Sequence, residues 1–262
     1  MVLSFILFFI NGHITGAVIG VSDSSQISLG LQLDATTTSC GYVGSDLTLT
    51  SNVTNENTCF IINAHDITLD CAGYFINYST SDILGYGINN TGFNNVTIRN
   101  CIMEEGASST SNKYAIHFEE SFNGTIENNT IVTIGNSPVL HIYLSNSTLI
   151  FTNNLTTQGN TKVIFMDETR DSNVTLNQIV VGDILGSTRG ISSELTFNES
   201  YSYNNITMFG STQRGVEFSA AENITFFQNI ILMEQSITYP NFAVFAVDLS
   251  TGTRNSSFLD NL

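Results

Sequence analysis

The apolar and polar positions of this chain repeat together, and the clearest copy runs from Gly87 to Met103, GINNTGFNNVTIRNCIM. Ile88 opens an alternating segment, Asn94 and Asn95 mark a polar turn, Val96 and Ile98 form a second segment, and Asn100 precedes Ile102. The first segment recurs as a small or β-branched residue followed by an aliphatic one: Gly87-Ile88, Ala115-Ile116, Val139-Leu140, Val163-Ile164, Gly190-Ile191, Gly215-Val216 and Ala243-Val244. Successive aliphatic positions are separated by 28, 24, 24, 27, 25 and 28 residues. The second recurs as an apolar residue, any residue, then an amide: Ile98/Asn100, Ile126/Asn128, Phe151/Asn153, Leu176/Gln178, Tyr203/Asn205, Phe227/Asn229 and Leu259/Asn261. Leu69 and Cys71 begin the series one unit earlier. A repeat of roughly 20 to 50 residues signals a stacked architecture.

Each unit holds short segments of period-two alternation, rich in Val, Ile, Phe and Thr and separated by Asn, Gly, Ser and Asp turns, which predicts strands. No window shows the long 3.6-residue period that a helical repeat needs. A strand unit of this size cannot bury its apolar face alone, so coils must stack and pair with their copies above and below. The chain is therefore expected to be all-β, a parallel β-helix of about eight coils over residues 58–262. The recurring amides Asn100, Asn128, Asn153, Gln178, Asn205 and Asn229 are expected to form a ladder at the strand spacing of about 4.8 Å. Mutual hydrogen bonding would make such a buried polar row tolerable.

The succession CFIINAHDITLDCAGYFI, then GYGINNTGFNNVTIRNCIM, resembles the repeats of the pectate-lyase-like superfamily, and most closely NosD-like β-helix domains and secreted archaeal surface proteins. The resemblance covers roughly residues 55 to 262 and implies right-handed winding, the usual hand for parallel crossovers. It speaks for fold rather than activity, because this fold carries lyases, hydrolases, epimerases, adhesins and structural spikes.

Residues 1–20 read differently. VLSFILFFI is an apolar run of signal-peptide length, with Gly16, Ala17 and Gly20 offering a cleavage site, although no Lys or Arg precedes it. It is too short to span a membrane. Export to a secreted or cell-surface location follows as the expectation. Residues 21–57 alternate like strands but fit the repeat poorly, and are expected to cap the N-terminal coil. At the other end a single residue follows Asn261, which reads as a fragment or as a coil covered by another molecule, with self-association the partner it implies.

A net charge of −16 with only seven basic residues disfavours nucleic acid and anionic membranes as partners. The four cysteines, Cys40, Cys59, Cys71 and Cys101, form no Cys-x-x-Cys and read as disulfides stapling the N-terminal coils. Cys71 can bridge Cys101, or Cys40 can tie the incoming segment to Cys59 or Cys71. Thirteen Asn-x-Ser/Thr sequons occur, at Asn52, Asn77, Asn89, Asn95, Asn123, Asn128, Asn146, Asn154, Asn173, Asn198, Asn205, Asn223 and Asn255. The turn sequons Asn77, Asn95, Asn123, Asn146, Asn173 and Asn223 are the glycosylation candidates.

Candidate chemistry is sparse. On the first segment of each coil one parity faces inward (Ile116, Phe118, Leu140, Ile142), and the other places His117, Glu119, His141, Tyr143, Asp167 and Glu194 outside. The step of 24 stacks His141 on His117 and Tyr143 on Glu119. That patch is the candidate ligand site, with Tyr143 as a stacking surface for a polysaccharide or cell-surface glycan. It is also the candidate site for calcium or another divalent ion, through His117, His141 and Glu119. The sequence has no Asp-Asp pair, no Gly-His-Gly, and neither Arg-x-x-x-Arg nor Arg-Ile-Lys, so no catalytic residue is assigned. Asp70 stands alone in a repeat turn, and the arginines appear scattered. Two readings result: a non-catalytic surface module for glycan binding, adhesion or envelope structure, and a polysaccharide lyase, hydrolase or epimerase using the His117 and His141 face.

Overall fold

The structure, a computed structural model, describes residues 5–10, 13–19, 35–81, 84–106, 113–235, 244–250 and 252–262. Met1–Leu33 forms one compact unit, in which Phe5–Ile10 pairs antiparallel with His13–Ile19, and Asp34–Leu262 forms the other. None of the described helices is long and apolar enough to cross a membrane.

The second unit is a right-handed parallel β-helix. Each coil contributes three short strands to three stacks. The first stack contains Phe60–Ile62, Ile88–Thr91, Ile116–Glu119, Leu140–Tyr143 and Lys162–Asp167. The second is a ten-stranded sheet that includes Thr68–Asp70, Thr97–Arg99, Thr125–Glu127 and Leu149–Phe151. The third contains Phe75–Tyr78, Ile102–Glu105, Thr130–Thr133 and Asn154–Thr157. First and third stacks merge where Gln178–Glu194 and Asn205–Ser219 run through the corner as single strands.

The first-segment anchors pair in register: Ile88, Ile116, Leu140, Ile164, Ile191 and Val216. The next rung is Val247 rather than Val244, since Ala246-Val247 also fits the small-then-aliphatic pattern. The segment expected as a cap is described from residue 35, and there it adds further rungs: Gly41–Val43 pairs with Phe60–Ile62, and Leu47–Leu49 with the strand Thr68–Asp70. Inside, Ile116, Phe118, Leu140, Ile142, Ile164 and Met166 are fully buried. Burial of such side chains, at about 1.5 to 3 kcal/mol each, supplies most of the favourable energy.

Corners are built from left-handed backbone, which a non-glycine residue adopts only where its surroundings impose it. One corner column holds Asn95, Asn123, Ser147, Asp171, Asn198, Asn223 and Asn255, all with φ between 52 and 58°. Their N–H groups bond the coil above, as from Asn95 to the Phe122 carbonyl (2.9 Å) and from Asn123 to that of Asn146 (2.9 Å).

The buried amide ladder exists, but on a different column from the one expected. It comprises Asn129, Asn153, Asn177, Asn204, Asn229 and Asn261. Each rung's Oδ1 accepts the backbone N–H of the residue one coil below, and from Asn153 upward it also accepts that residue's Nδ2, at 2.8–3.2 Å. Asn153 and Asn229 were placed correctly. Asn100 and Asn128 instead occupy the neighbouring corner column, with φ of 55 and 51°, and Asn128 Nδ2 donates a hydrogen bond to Asn100 Oδ1 (2.7 Å). Gln178 and Asn205 lie one position later, on the outside of the third stack. Adjacent amides at the corner and outward aromatics such as Phe151 and Phe227 left the alternation without a unique parity. The disulfides are Cys40–Cys59 and Cys71–Cys101. Cys101 donates its N–H to Asn129 Oδ1 (2.9 Å), so the second bridge heads the ladder.

Glu199 is fully buried beside the second stack, where its Oε1 accepts the Thr169 hydroxyl (2.9 Å) and its Oε2 has no partner. Burial pushes this carboxyl up to about 7 from its ordinary 4.5. A raised carboxyl pKa means that the folded chain keeps a proton the unfolded chain releases, so stability is greatest below pH 4.5 and falls as pH rises to 7. At 1.36 kcal/mol per unit the fall is about 3 kcal/mol. Urea unfolding at pH 5 and pH 8 should show this decline diminished by that amount in Glu199→Gln; parallel curves would contradict the assignment.

Candidate functional site

The outward face of the first stack carries two axial columns set by strand alternation and parallel register, and a third from the residue two before each anchor, where the consecutive buried pairs Ala115-Ile116, Val139-Leu140 and Val163-Ile164 break the alternation. The central column runs Asn89, His117, His141, Phe165, Ser192, Glu217 and Asp248. Two residues later in each strand come Thr91, Glu119, Tyr143, Asp167 and Glu194. The third column, two residues before each anchor, holds Tyr86, Tyr114, Pro138, Lys162, Arg189 and Arg214.

At the N-terminal end these columns form an aromatic cluster. The Tyr86 and Tyr114 rings stack at 5.6 Å, Tyr114 lies 4.7 Å from His141, and His117 and His141 stack at 4.9 Å. His141 continues to Phe165 (5.0 Å) and to Tyr143 (5.9 Å). This packing covers both imidazoles, although strand parity points them outward: His117 is 6% and His141 9% exposed. Burial, followed by the positive charge of His117 and Lys162, pulls His141 down to about 3, and neither of its ring nitrogens has a hydrogen-bond partner. Burial also lowers His117, against the opposing pull of Glu119, whose Oε2 lies 3.5 Å from Nε2. Burial disfavours the charged form of both rings, which act as aromatic surface.

Toward the C-terminal end the face becomes ionic. Lys162 Nζ sits 3.2 Å over the Phe165 ring and 2.5 Å from Glu194 Oε1. Arg189 pairs with Glu217, and Arg214 with Asp248 at 2.5 Å. Each cation thus reaches a carboxylate one coil further on. Between the two zones lies a cleft of about 280 Å³ lined by Tyr114, Asn136, Pro138, Asn160, Lys162 and Phe165, with Thr161, Ser187 and Arg189 completing it.

The structure therefore brings together His117, Glu119, His141 and Tyr143 as expected, with Asp167 and Glu194 on the next two rungs. Burial, then Glu194 and Glu168, raises the Asp167 carboxyl. Among the described residues no group of three or more His, Cys, Asp and Glu is placed to hold a metal ion. Two expectations change. Of the arginines read as scattered, Arg189 and Arg214 share one column, which Lys162 heads. Asp70 is not alone: it pairs with Arg99 and accepts Asn100 Nδ2, both at 2.9 Å. Tyr86, Tyr114, Lys162 and Arg189 were missed, although subtracting two from each repeat anchor would have found them.

No family model matches the sequence, and no curated protein does. Among solved structures the chain is similar to a double mutant of the periplasmic alginate epimerase AlgG, with 12% identity and a TM-score of 0.41, over 83% of this chain and 73% of that one. It is similar to a mutant DFA-IIIase from Arthrobacter chlorophenolicus A6 in complex with DFA-III, with 11% identity and a TM-score of 0.36, over 81% and 72%. The surface protein and adhesin PfbA of Streptococcus pneumoniae is similar at 10% identity and a TM-score of 0.38, over 88% and 79%. The likeness is one of fold.

Proposed function

We propose that the chain is a non-catalytic, extracytoplasmic β-helix module that holds a glycan against the outer face of its first strand stack. The observation that carries this reading is the cleft, in which the rings of Tyr114 and Phe165 stand beside the amides of Asn136 and Asn160, the hydroxyls of Thr161 and Ser187, and the cations Lys162 and Arg189. Aromatic walls with a few convergent polar groups suit a sugar, whose rings have apolar faces and whose hydroxyls both donate and accept. The two disulfides support an oxidising compartment. Retention on immobilised polysaccharides tests the proposal. Phe165→Ala and Asn160→Ala should each weaken retention by about tenfold, roughly 1.4 kcal/mol, whereas Thr130→Ala on the third stack should leave it unchanged. Equal retention by all three variants would sink the reading.

A second reading is a polysaccharide lyase, hydrolase or epimerase. Burial and the neighbouring carboxylates Glu194 and Glu168 raise the Asp167 carboxyl, the direction a general acid needs, and this favours it. New chain ends, or new sugar epimers, formed from a panel of acidic and neutral polysaccharides and lost in Asp167→Asn would establish it.

A further inference from the structure

The sequons appear dispersed along the chain, but the register gathers five of them onto one corner. Asn95, Asn123, Asn198, Asn223 and Asn255 occupy the same left-handed corner column, with φ between 52 and 58°. Their hydroxyl partners two residues later, Thr97, Thr125, Ser200, Thr225 and Ser257, are aligned in the strand register of the second stack. The residue between them turns inward: Val96, Gly124, Glu199 and Ile224 are buried. Amide and hydroxyl therefore share the outer surface, with four of the asparagines exposed and Asn223 half-buried. The corner amides donate to neighbouring rungs, Asn95 Nδ2 to Asp66 Oδ1, Asn123 Nδ2 to Asn95 Oδ1 (2.9 Å), Asn198 Nδ2 to Asp171 Oδ1 (2.6 Å) and Asn255 Nδ2 to Glu222 Oε1 (3.4 Å), and a substituted amide retains one N–H for such a bond.

We propose that this corner is a seam for N-linked glycans, occupied on non-adjacent rungs. The inference depends on export but not on glycan binding by the first stack. The donor is an oligosaccharide carried on an isoprenoid pyrophosphate. Asparagine Nδ2 forms the bond to its anomeric carbon, the bond from that carbon to the phosphate oxygen breaks, the lipid pyrophosphate leaves, and Nδ2 gives up one proton. Consecutive rungs are about 4.8 Å apart, too close for branched sugars side by side. One of Asn95 and Asn123 is occupied, together with Asn198 and Asn255, or else Asn223 alone in the latter group. Two earlier candidates drop out, because the hydroxyls of their sequons are buried: Ser79 for Asn77 and Thr148 for Asn146. Asn173 lies in the adjacent column, aligned with Thr125 and Ser200.

The test is to pass the full chain, behind an added secretion leader, through a cell equipped for N-glycosylation, and to measure intact mass and map the sites on protein recovered from the medium. Sugar should be found on the corner column and never on adjacent rungs of one molecule. Thr125→Val and Thr225→Val should abolish modification at Asn123 and Asn223 while leaving the corner asparagines in place. Bare secreted protein, or modification at Asn77 and Asn146 equal to that at Asn123, would overturn the proposal. Loss of glycan retention in the Phe165→Ala variant would not affect it.

Discussion

Replacing Asn177 by alanine is expected to destabilise the solenoid by about 3 to 5 kcal/mol. The Asn177 side chain is buried, with its Nδ2 donating to the Ile150 carbonyl (2.9 Å) and to Asn204 Oδ1 (3.0 Å), while its Oδ1 accepts the backbone N–H and the Nδ2 of Asn153, both at 3.0 Å. Alanine strands the Ile150 carbonyl and the Asn153 N–H in a site closed to water. Each buried orphan costs about 1 to 3 kcal/mol. The position lies mid-ladder, so the break also uncouples the coils on either side, whose stability depends on nearest-neighbour contacts. Urea unfolding and hydrogen exchange at the Asn153 and Asn177 amides give the measurement. A loss below about 1 kcal/mol would mean that the ladder is not a structural necessity. Asn128→Ala, one column away and exposed, serves as the control and should cost only tenths of that.

Removing the Cys71–Cys101 bridge as a double serine variant is expected to cost about 3 to 4 kcal/mol. The bridge closes a segment of 30 residues, and loop-closure entropy for that length gives a loss of this size in the chain-entropy model. The bridge also joins the column that Asn129 continues, so its removal leaves the first rungs without a covalent head. Unfolding by urea at fixed pH, with the Cys40–Cys59 bridge intact, isolates the effect. Equal midpoints for the variant and the parent would show that the ladder alone holds these coils.

Much of the fold was legible because all the first-segment anchors but the last, where Ala246-Val247 competes with Ala243-Val244, are unambiguous: a small residue followed by an aliphatic one, spaced by whole coils, fixes which face is inside. The second segment was less so. Its strands leave Phe151 and Phe227 half-buried on the outer face and bury Ile150 and Phe226, so apolar character on both faces concealed the parity and displaced the expected amide ladder by one position. The site was legible in part. His117, Glu119, His141 and Tyr143 follow from parity and the step of 24, but their burial depends on Tyr86 and Tyr114 packing across from a preceding column. The alignment of Arg189 with Arg214 was hidden for a related reason: coil lengths vary, and only the strand register unites the two with Lys162.

The central claim is that a glycan rests on the aromatic end of the first stack, and the histidine resonances report on it directly. The chain has only four histidines. His141 packs on Tyr114 and Phe165, both of which line the cleft, whereas His65 packs against Phe93 at 5.3 Å, away from it. Titration with an oligosaccharide cut from a retained polymer should shift the imidazole carbon-bound protons of His141 and His117 saturably and leave that of His65 unmoved. A saturating titration in which His65 moves while His117 and His141 stay fixed would place the glycan elsewhere and contradict the account.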